Sequence, residues 1–345
     1  MSHRIAVLGA SGYTGSEAVR LFLNHPQAKI VALSAHARAG AAIGTVHPHL
    51  AWFGLPDLVA WDQIDWSGVD IAVSCLPHGA SADIVRQLPE RVRIIDLSAD
   101  FRLRNPETYV AWYGRAHGAP ALLADAVYGL TEFAGPALTT ARVAACPGCY
   151  PTATLLALKP LAEAGLITGE DLIIDAKSGV SGAGRALKDH LLFTEAGEGV
   201  SAYGVGHHRH MPEIEQELSL GFGAPVTVSF TPHLIPMSRG ELITAYVRLT
   251  SGTTWEDLRA GLEARFAAAP FVHVLEPGRA PSTRHVRGSN HAALAVFPDR
   301  RAGRAIVLAA IDNLVKGSSG QAVQNFNRMI DAPETTGLTA PPLSP

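Results

Sequence analysis

The sequence predicts two domains: an α/β domain on a doubly wound parallel sheet, then an α+β domain whose sheet is mixed and largely antiparallel. Three observations carry this. At 345 residues the chain exceeds one ordinary domain. Its first third alternates short, continuous apolar runs with helical patterns, the mark of parallel strands covered on both faces. Its middle holds strands in series with few helices between them.

The elements follow in order. Ile5–Leu8 is an apolar run, and Ser16–Leu23 has helical spacing that stops at Asn24-His25-Pro26. Lys29–Ser34 is the second strand, Val69–Ser74 the next, followed by a helix over Ala80–Leu88. Val92–Leu97 and Val143–Ala145 close the series. Leu155–Ala164 is helical. Strands follow at Leu172–Ala176, Val226–Thr231, Leu242–Leu249, His291–Val296 and Ala305–Ala310, with a helix over Glu256–Ala268. Asp312–Met329 reads as a long closing helix, interrupted at Lys316–Gly320. The Pro-, Thr- and Ser-rich stretch Thr335–Pro345 reads as a frayed or docked tail.

Composition narrows the function. Hydrophobic residues make up 47% and charged residues 17%, which supplies a core and carries no disorder signature. A net charge of −3 argues against nucleic acid or an anionic membrane face as partner. No apolar stretch is long enough to span a bilayer. Met1–Arg4 runs straight into a strand, so no export signal is expected. Three cysteines cannot form a disulfide framework, and a reducing cytoplasm is the simplest location.

Chemistry gathers at three places. Gly9-Ala10-Ser11-Gly12-Tyr13-Thr14-Gly15 joins the first strand to the first helix. Its glycines permit a tight turn and close approach of a pyrophosphate to a helix N-terminus, which makes the first domain Rossmann-type and nucleotide-binding. The second strand ends at Ser34 without the carboxylate that would hold a ribose 2′-hydroxyl. Ser34 and Arg38 suit a 2′-phosphate instead, so NADP is favoured over NAD.

The second place is Cys146-Pro147-Gly148-Cys149-Tyr150-Pro151, between a strand and a helix. Pro151 fits a first helical turn and puts Cys149 at the helix N-terminus, where a thiolate is stabilised. A low-pKa thiol in a nicotinamide enzyme points to covalent catalysis through a thioester. Two other readings compete: a redox cysteine pair, and a zinc site of Cys146, Cys149, His208 and His210. Cys146 and Cys75 read as inert buried thiols.

The third is Gly206-His207-His208-Arg209-His210-Met211-Pro212-Glu213, a basic loop opening a helix. A histidine there can move a proton, and an arginine or second histidine can hold a carboxylate or phosphate. His47-Pro48-His49 lacks such company and reads as a loop without chemistry. Ser178, Gly179 and Gly182 lie in a glycine-rich loop that could cradle phosphate through backbone amides. Asp96–Arg102 ends another strand on the ligand side of the sheet, and His233 and Arg239 flank a Pro-bounded loop.

Taken together, these segments resemble the N-acetyl-γ-glutamyl-phosphate reductases of the semialdehyde dehydrogenase superfamily. The matching segments are GASGYTG (9–15), CLPHG (75–79), DLSADFR (96–102), CPGCYPT (146–152), SGVSGAGR (178–185), GHHRHMPEIEQ (206–216), FTPHLIPMSRG (230–240) and NLVKGSSGQAVQN (313–325), spread over nearly the whole chain. The resemblance implies NADPH-dependent reduction of N-acetyl-L-glutamyl 5-phosphate to the 5-semialdehyde and phosphate, in arginine biosynthesis. It makes Cys149 the nucleophile and His208 the acid/base partner. Arg102, Arg209, His210 and Glu213 become candidate substrate contacts. Leu76, Pro77, Asn313 and Gln321 join the cofactor set.

The resemblance also implies a plan of residues 1–148 plus 313–345 for the NADP domain and 149–312 for the catalytic and dimerisation domain, in a homodimer or homotetramer. His207 is an extra imidazole beside His208 and leaves open which of the two carries the proton. Two alternatives remain: a reductase of lysine biosynthesis with a carrier-linked acyl phosphate, and a non-catalytic NADP-binding regulator. The first would favour a Lys/Arg run for the carrier, which the sequence lacks, so a free small-molecule substrate is preferred.

Overall fold

The computed structural model describes residues 2–343. The chain forms two compact units. One runs to Pro147 and takes in Ser318–Thr339; the other runs from Gly148 to Gly317 and takes in the tail from Ala340. Residues 313–317 and the described tail from Ala340 fall in the second unit, and Thr335–Thr339 in the first. Leu343 donates its amide to the Arg287 carbonyl at 2.8 Å. The last two residues of the expected tail lie outside the described residues.

The first unit is a parallel sheet. Its strands are β1 (His3–Leu8), β2 (Ala28–Ser34), β3 (Leu58–Val59), β4 (Ile71–Ser74), β5 (Arg93–Asp96), β6 (Val127–Tyr128) and β7 (Val143–Ala145). Their spatial order is β3-β2-β1-β4-β5-β7-β6. Every pairing in it is parallel. The order reverses at β1, the switch point at which such sheets open a crevice beyond their carboxyl ends. Ile5, Val7, Val73 and Ile94 are buried, which is why these strands are apolar without alternation.

The second unit holds β8 (Leu172–Gly179), β9 (Ser201–Ala202), β10 (Val228–Ile235), β11 (Glu241–Arg248), β12 (Val272–Val274), β13 (Ala292–Pro298) and β14 (Arg304–Ile311). Their order is β12-β13-β14-β11-β8-β10-β9. The β8–β10 and β12–β13 pairs are parallel, and the β11–β14, β11–β8 and β13–β14 pairs antiparallel. Here the strands alternate: Ile243, Ala245 and Val247 of β11 are buried while their neighbours are partly exposed. That buried face packs against the helix Cys149–Glu163.

Several elements differ from expectation in their bounds. The helix read over Leu155–Ala164 begins at Cys149, where Pro151 had placed its N-terminus. Strand β11 begins at Glu241, not Leu242. The closing helix is broken: Val315–Ser319 is a π-turn and the regular helix runs from Gly320 to Met329. The short strands β3, β6, β9 and β12, of two or three residues each, were too brief to show periodicity.

Candidate active site

The second unit presents the thiol. Cys149 is the first residue of its 15-residue helix, with Gly148 as an extended N-cap that supplies no side-chain hydrogen bond. The amides of that first turn are turned toward the thiol's end of the helix, and the helix dipole favours negative charge there. Gly148 and Gly317 let other groups approach. A Cβ on Gly148 would stand 2.5 Å from His210 Nε2, and one on Gly317 would stand 2.8 Å from Cys149 Cβ.

The histidine loop closes over this helix. The rings of His208 and His210 meet edge to face at 4.8 Å, and His208 meets Tyr150 at 5.7 Å and Tyr203 at 5.4 Å. The His210 amide donates to His208 Nδ1 at 3.2 Å, which leaves that nitrogen as acceptor and Nε2 as the N–H position in the neutral ring. Burial, with the Arg209 guanidinium adding repulsion, pushes the His208 imidazole down to about 4. It is therefore neutral at pH 7. His207 and Arg209 are exposed. The geometry thus separates the two adjacent imidazoles: His208 is held in the aromatic wall and His207 is turned to solvent.

Glu213 does something the sequence reading did not anticipate. It is buried and accepts the Gly148 amide proton at 2.9 Å. Expected as a substrate contact, it joins the helix Met211–Phe222 to the residue before the thiol. A second carboxyl, Glu241, opens β11, is fully buried, and lies against Cys149. Sequence reasoning missed it because the strand was read from Leu242; the alternation of β11, run back one residue, puts it on the buried face.

The loop after β8 is held by backbone fit. The Gly179 amide donates to the Gly240 carbonyl at 2.9 Å, and a Cβ at Gly179 would meet the Met237 and Ser238 carbonyls at 2.8 Å. Ser178 is buried, and a Cβ at Gly182 would press on its hydroxyl at 3.0 Å. Asn313 ties this loop to the next: its Nδ2 donates to Ser181 Oγ at 3.0 Å, and its Oδ1 accepts from the Gly240 amide at 2.8 Å.

The first unit carries the glycine turn. Gly9 has φ +78°, and a Cβ there would stand 2.5 Å from the Cys75 carbonyl oxygen. Gly15 is pressed against the Gly9 carbonyl, leaving no room for a side chain. Gly12, the N-cap of helix Tyr13–Leu23, has space around it and no side-chain cap. Tyr13 is partly exposed, and the Thr14 carbonyl accepts from Ser319 Oγ at 2.9 Å. Ser34 is buried; its carbonyl accepts the amides of Gly9 and Ala10, both at 2.9 Å, so it shapes the turn through its backbone. Arg38 is exposed on the short helix after β2. His47, read as bland, reaches the Ser11 carbonyl with Nε2 at 3.0 Å and braces the turn.

Leu76 and Pro77 follow β4, the strand beside β1, and so flank the same crevice. Gln321 is buried and its amide donates to Thr131 Oγ1. Arg102 is also buried: its guanidinium donates to the Cys146 carbonyl at 2.8 Å and to the Leu97 carbonyl at 2.9 Å. Burial pushes the Cys75 thiol up and the Cys146 thiol up to about 12. Among the described residues no group of three or more His, Cys, Asp or Glu side chains is placed to hold a metal ion.

A parallel sheet with a glycine turn at its switch point, joined to a mixed sheet that carries a cysteine at a helix N-terminus, defines a two-domain semialdehyde dehydrogenase. Residues 4–141 match the semialdehyde dehydrogenase NAD-binding domain, and residues 149–313 match the semialdehyde dehydrogenase dimerisation domain. Aspartate semialdehyde dehydrogenase II of Vibrio cholerae shares the fold, with a TM-score of 0.73 and 18% identity, over 96% of this chain and 99% of that one. The N-acetyl-gamma-glutamyl-phosphate reductase of Ruegeria pomeroyi is 53% identical over the whole of both chains. A probable chloroplastic N-acetyl-gamma-glutamyl-phosphate reductase of Oryza sativa is 53% identical over 99% of this chain and 82% of its own length. The chain belongs to the N-acetyl-γ-glutamyl-phosphate reductase family, a family of oxidoreductases with a nicotinamide cofactor. No helix among the described residues is long and apolar enough to cross a membrane.

Proposed function

We propose that the protein reduces N-acetyl-L-glutamyl 5-phosphate to N-acetyl-L-glutamate 5-semialdehyde and phosphate with NADPH, in the cytoplasm, as a step of arginine biosynthesis. The carrying observation is full-length identity of 53% to reductases of that name, together with a cysteine at a helix N-terminus walled by His208 and His210. The glycine turn fits a dinucleotide: Gly9 and Gly15 have no room for a Cβ, and the first helix begins without a side-chain cap. Gly12, Tyr13, Thr14 and Gly15 would line the pyrophosphate, and Arg38 would meet the 2′-phosphate that distinguishes NADPH. When bound, the reduced nicotinamide supplies the hydride.

The chain's own groups supply the rest. The Cys149 thiolate attacks the acyl carbon, and phosphate leaves, giving a thioester. The first-turn amides meet the oxyanion that develops at that carbon. After reduction the thiohemiacetal collapses to aldehyde and thiolate. His208, neutral and hydrogen-bonded through Nδ1, holds its Nε2 proton for the oxygen as charge builds there. Arg209 and His210 would hold the substrate carboxylate or the phosphate. Glu213 and Arg102 act at one remove, by fixing the turn before Cys149 and the strand end at Cys146. The active species is a homodimer or homotetramer formed through the second unit.

The test is the reverse reaction: N-acetyl-glutamate 5-semialdehyde, phosphate and NADP⁺, followed by NADPH absorbance. Phosphate-dependent turnover lost on thiol alkylation supports the reading. Turnover that ignores phosphate overturns it.

A further inference from the structure

Strand β11 carries one carboxyl on its otherwise apolar buried face. Glu241, Ile243, Ala245 and Val247 alternate on the side packed under the helix of Cys149, and all four have no exposed surface. Glu241 reaches this place through a constrained turn: Gly240 has φ +114°, and a Cβ there would stand 2.6 Å from Thr283 Cβ. In the sheet Glu241 sits opposite Ile311 of β14 and Ser178 of β8. Ile311 and Cys149 both close on Gly317, which brings the strand end and the thiol together. Among the described residues neither carboxyl oxygen has a hydrogen-bond partner within ordinary distance, and the Cys149 thiol is a polar group that approaches it. A buried carboxyl without a partner is costly, so its persistence beside a nucleophile calls for a role.

We propose that Glu241 and Cys149 share one proton: the Glu241 carboxylate takes the thiol proton and, as the carboxylic acid, donates a hydrogen bond back to the thiolate. The proposal rests on the reading of Cys149 as nucleophile. The balance is simple. Thiol plus carboxylate becomes thiolate plus carboxylic acid, with one negative charge on the pair in both forms. The thiolate then forms the thioester while Glu241 keeps the proton. When the thiohemiacetal collapses, the expelled thiolate meets that same proton.

The surroundings resist charge on the pair and resist a second charge most. Burial pushes the Glu241 carboxyl up to about 8, with the Cys149 thiol opposing the rise and Asp312 adding to it, so the pair passes from two protons to the one shared proton near that pH. Tyr150 and Tyr203 also face it, and burial raises both phenols, so they stay neutral. Asp312 is held by the amides of Gly288, Leu314 and Val315 at 2.7–3.0 Å and by Arg239 at 3.7 Å. Losing the second proton would set two bare anions side by side in a site with little water.

The experiment is the rate of Cys149 alkylation by iodoacetamide from about pH 5 to about pH 10, resolved by peptide mass spectrometry, in native protein, E241Q and E241L. The native profile should rise in two steps. E241Q should rise in one, and E241L in one displaced to higher pH, with at least about tenfold slower alkylation at neutral pH. A buried structural carboxyl would not change the number of steps. A single native step that superimposes on E241Q overturns the shared proton. C149S measured alongside separates the two ideas: turnover retained by C149S sinks the nucleophile reading, whereas the alkylation profile judges the pair on its own.

Discussion

The Gly148 amide donates to the Glu213 carboxylate at 2.9 Å, so the residue just before the candidate nucleophile is anchored to the helix that follows the histidine loop. Both groups are buried, and the contact spans 65 residues of sequence. Removing the acceptor leaves a buried N–H unpaired, at a cost of about 1–3 kcal/mol. Glu213→Gln keeps a carbonyl oxygen in place and should retain most activity. Glu213→Ala should lower kcat about tenfold or more, with KM moving less, because the thiol and not the substrate loses its support. Steady-state kinetics on both variants decide this; equal loss of kcat in the two would show that charge, not the acceptor, matters.

Gly148 itself is the second test. A methyl group there would fall 2.5 Å from His210 Nε2. Its φ of −65° is open to any residue, so Gly148→Ala strains the ring contact and not the backbone. The protein should fold with a melting temperature close to native and lose activity about tenfold or more as His210 is displaced. Native-like turnover in this variant would mean that the His210 ring can move without consequence.

The two adjacent imidazoles differ in environment, and this sets a third expectation. His208 is enclosed by Tyr150, Tyr203 and Phe230, while His207 is exposed. His208→Asn should lower kcat by about 10²-fold or more, the usual scale for losing a proton-transfer group. His207→Asn should stay within about twofold of native, as surface changes away from a site do. A reversed ranking transfers the proton role to His207.

A fourth expectation concerns the cofactor. Arg38 is the exposed cation on the short helix after β2, and the strand ends in Ser34 with no carboxylate. Arg38→Ala should raise KM for NADPH about tenfold and leave NADH nearly unchanged, since only the former carries the 2′-phosphate. Equal weakening of both cofactors would assign Arg38 to the fold of the loop.

Much of this was legible in the sequence, and the parts that were not share a cause. The glycine turn and the helix N-terminus at Cys149 are local devices, spelled in consecutive residues whose backbone needs are known. Residues that act across the fold are not spelled that way. Glu213 was expected only as a substrate contact, and one of its partners is a backbone amide 65 residues away. Arg102 was expected as a substrate contact, and its guanidinium also donates to the Cys146 and Leu97 carbonyls. His47 looked idle and holds the Ser11 carbonyl. Such pairings depend on which strand ends meet, which periodicity does not report. Glu241 lay one residue outside a predicted strand, within the ordinary uncertainty of a strand boundary.

The buried Glu241 carboxyl also predicts how stability varies with pH. Its pKa in the folded protein, about 8, lies above the ordinary value of 4.5. Between those two pH values the folded state binds more protons at this site than the unfolded state does. Stability from this group is therefore fully present below the lower value and is lost as pH rises through the upper one, with a slope of at most about 1.4 kcal/mol per pH unit. Asn- or Gln-type side chains do not titrate, so Glu241→Gln removes the slope while preserving shape. Native protein and E241Q should melt at similar temperatures near pH 5, and E241Q should melt progressively higher than native as the pH is raised toward 9. His208 works in the opposite direction. Its imidazole is pushed down to about 4, so its contribution is lost as pH falls below the ordinary 6.5, and it cannot mimic a decline on the alkaline side. Melting curves for the two proteins that stay parallel from pH 5 to pH 9 would mean that Glu241 is ionised in the folded state throughout.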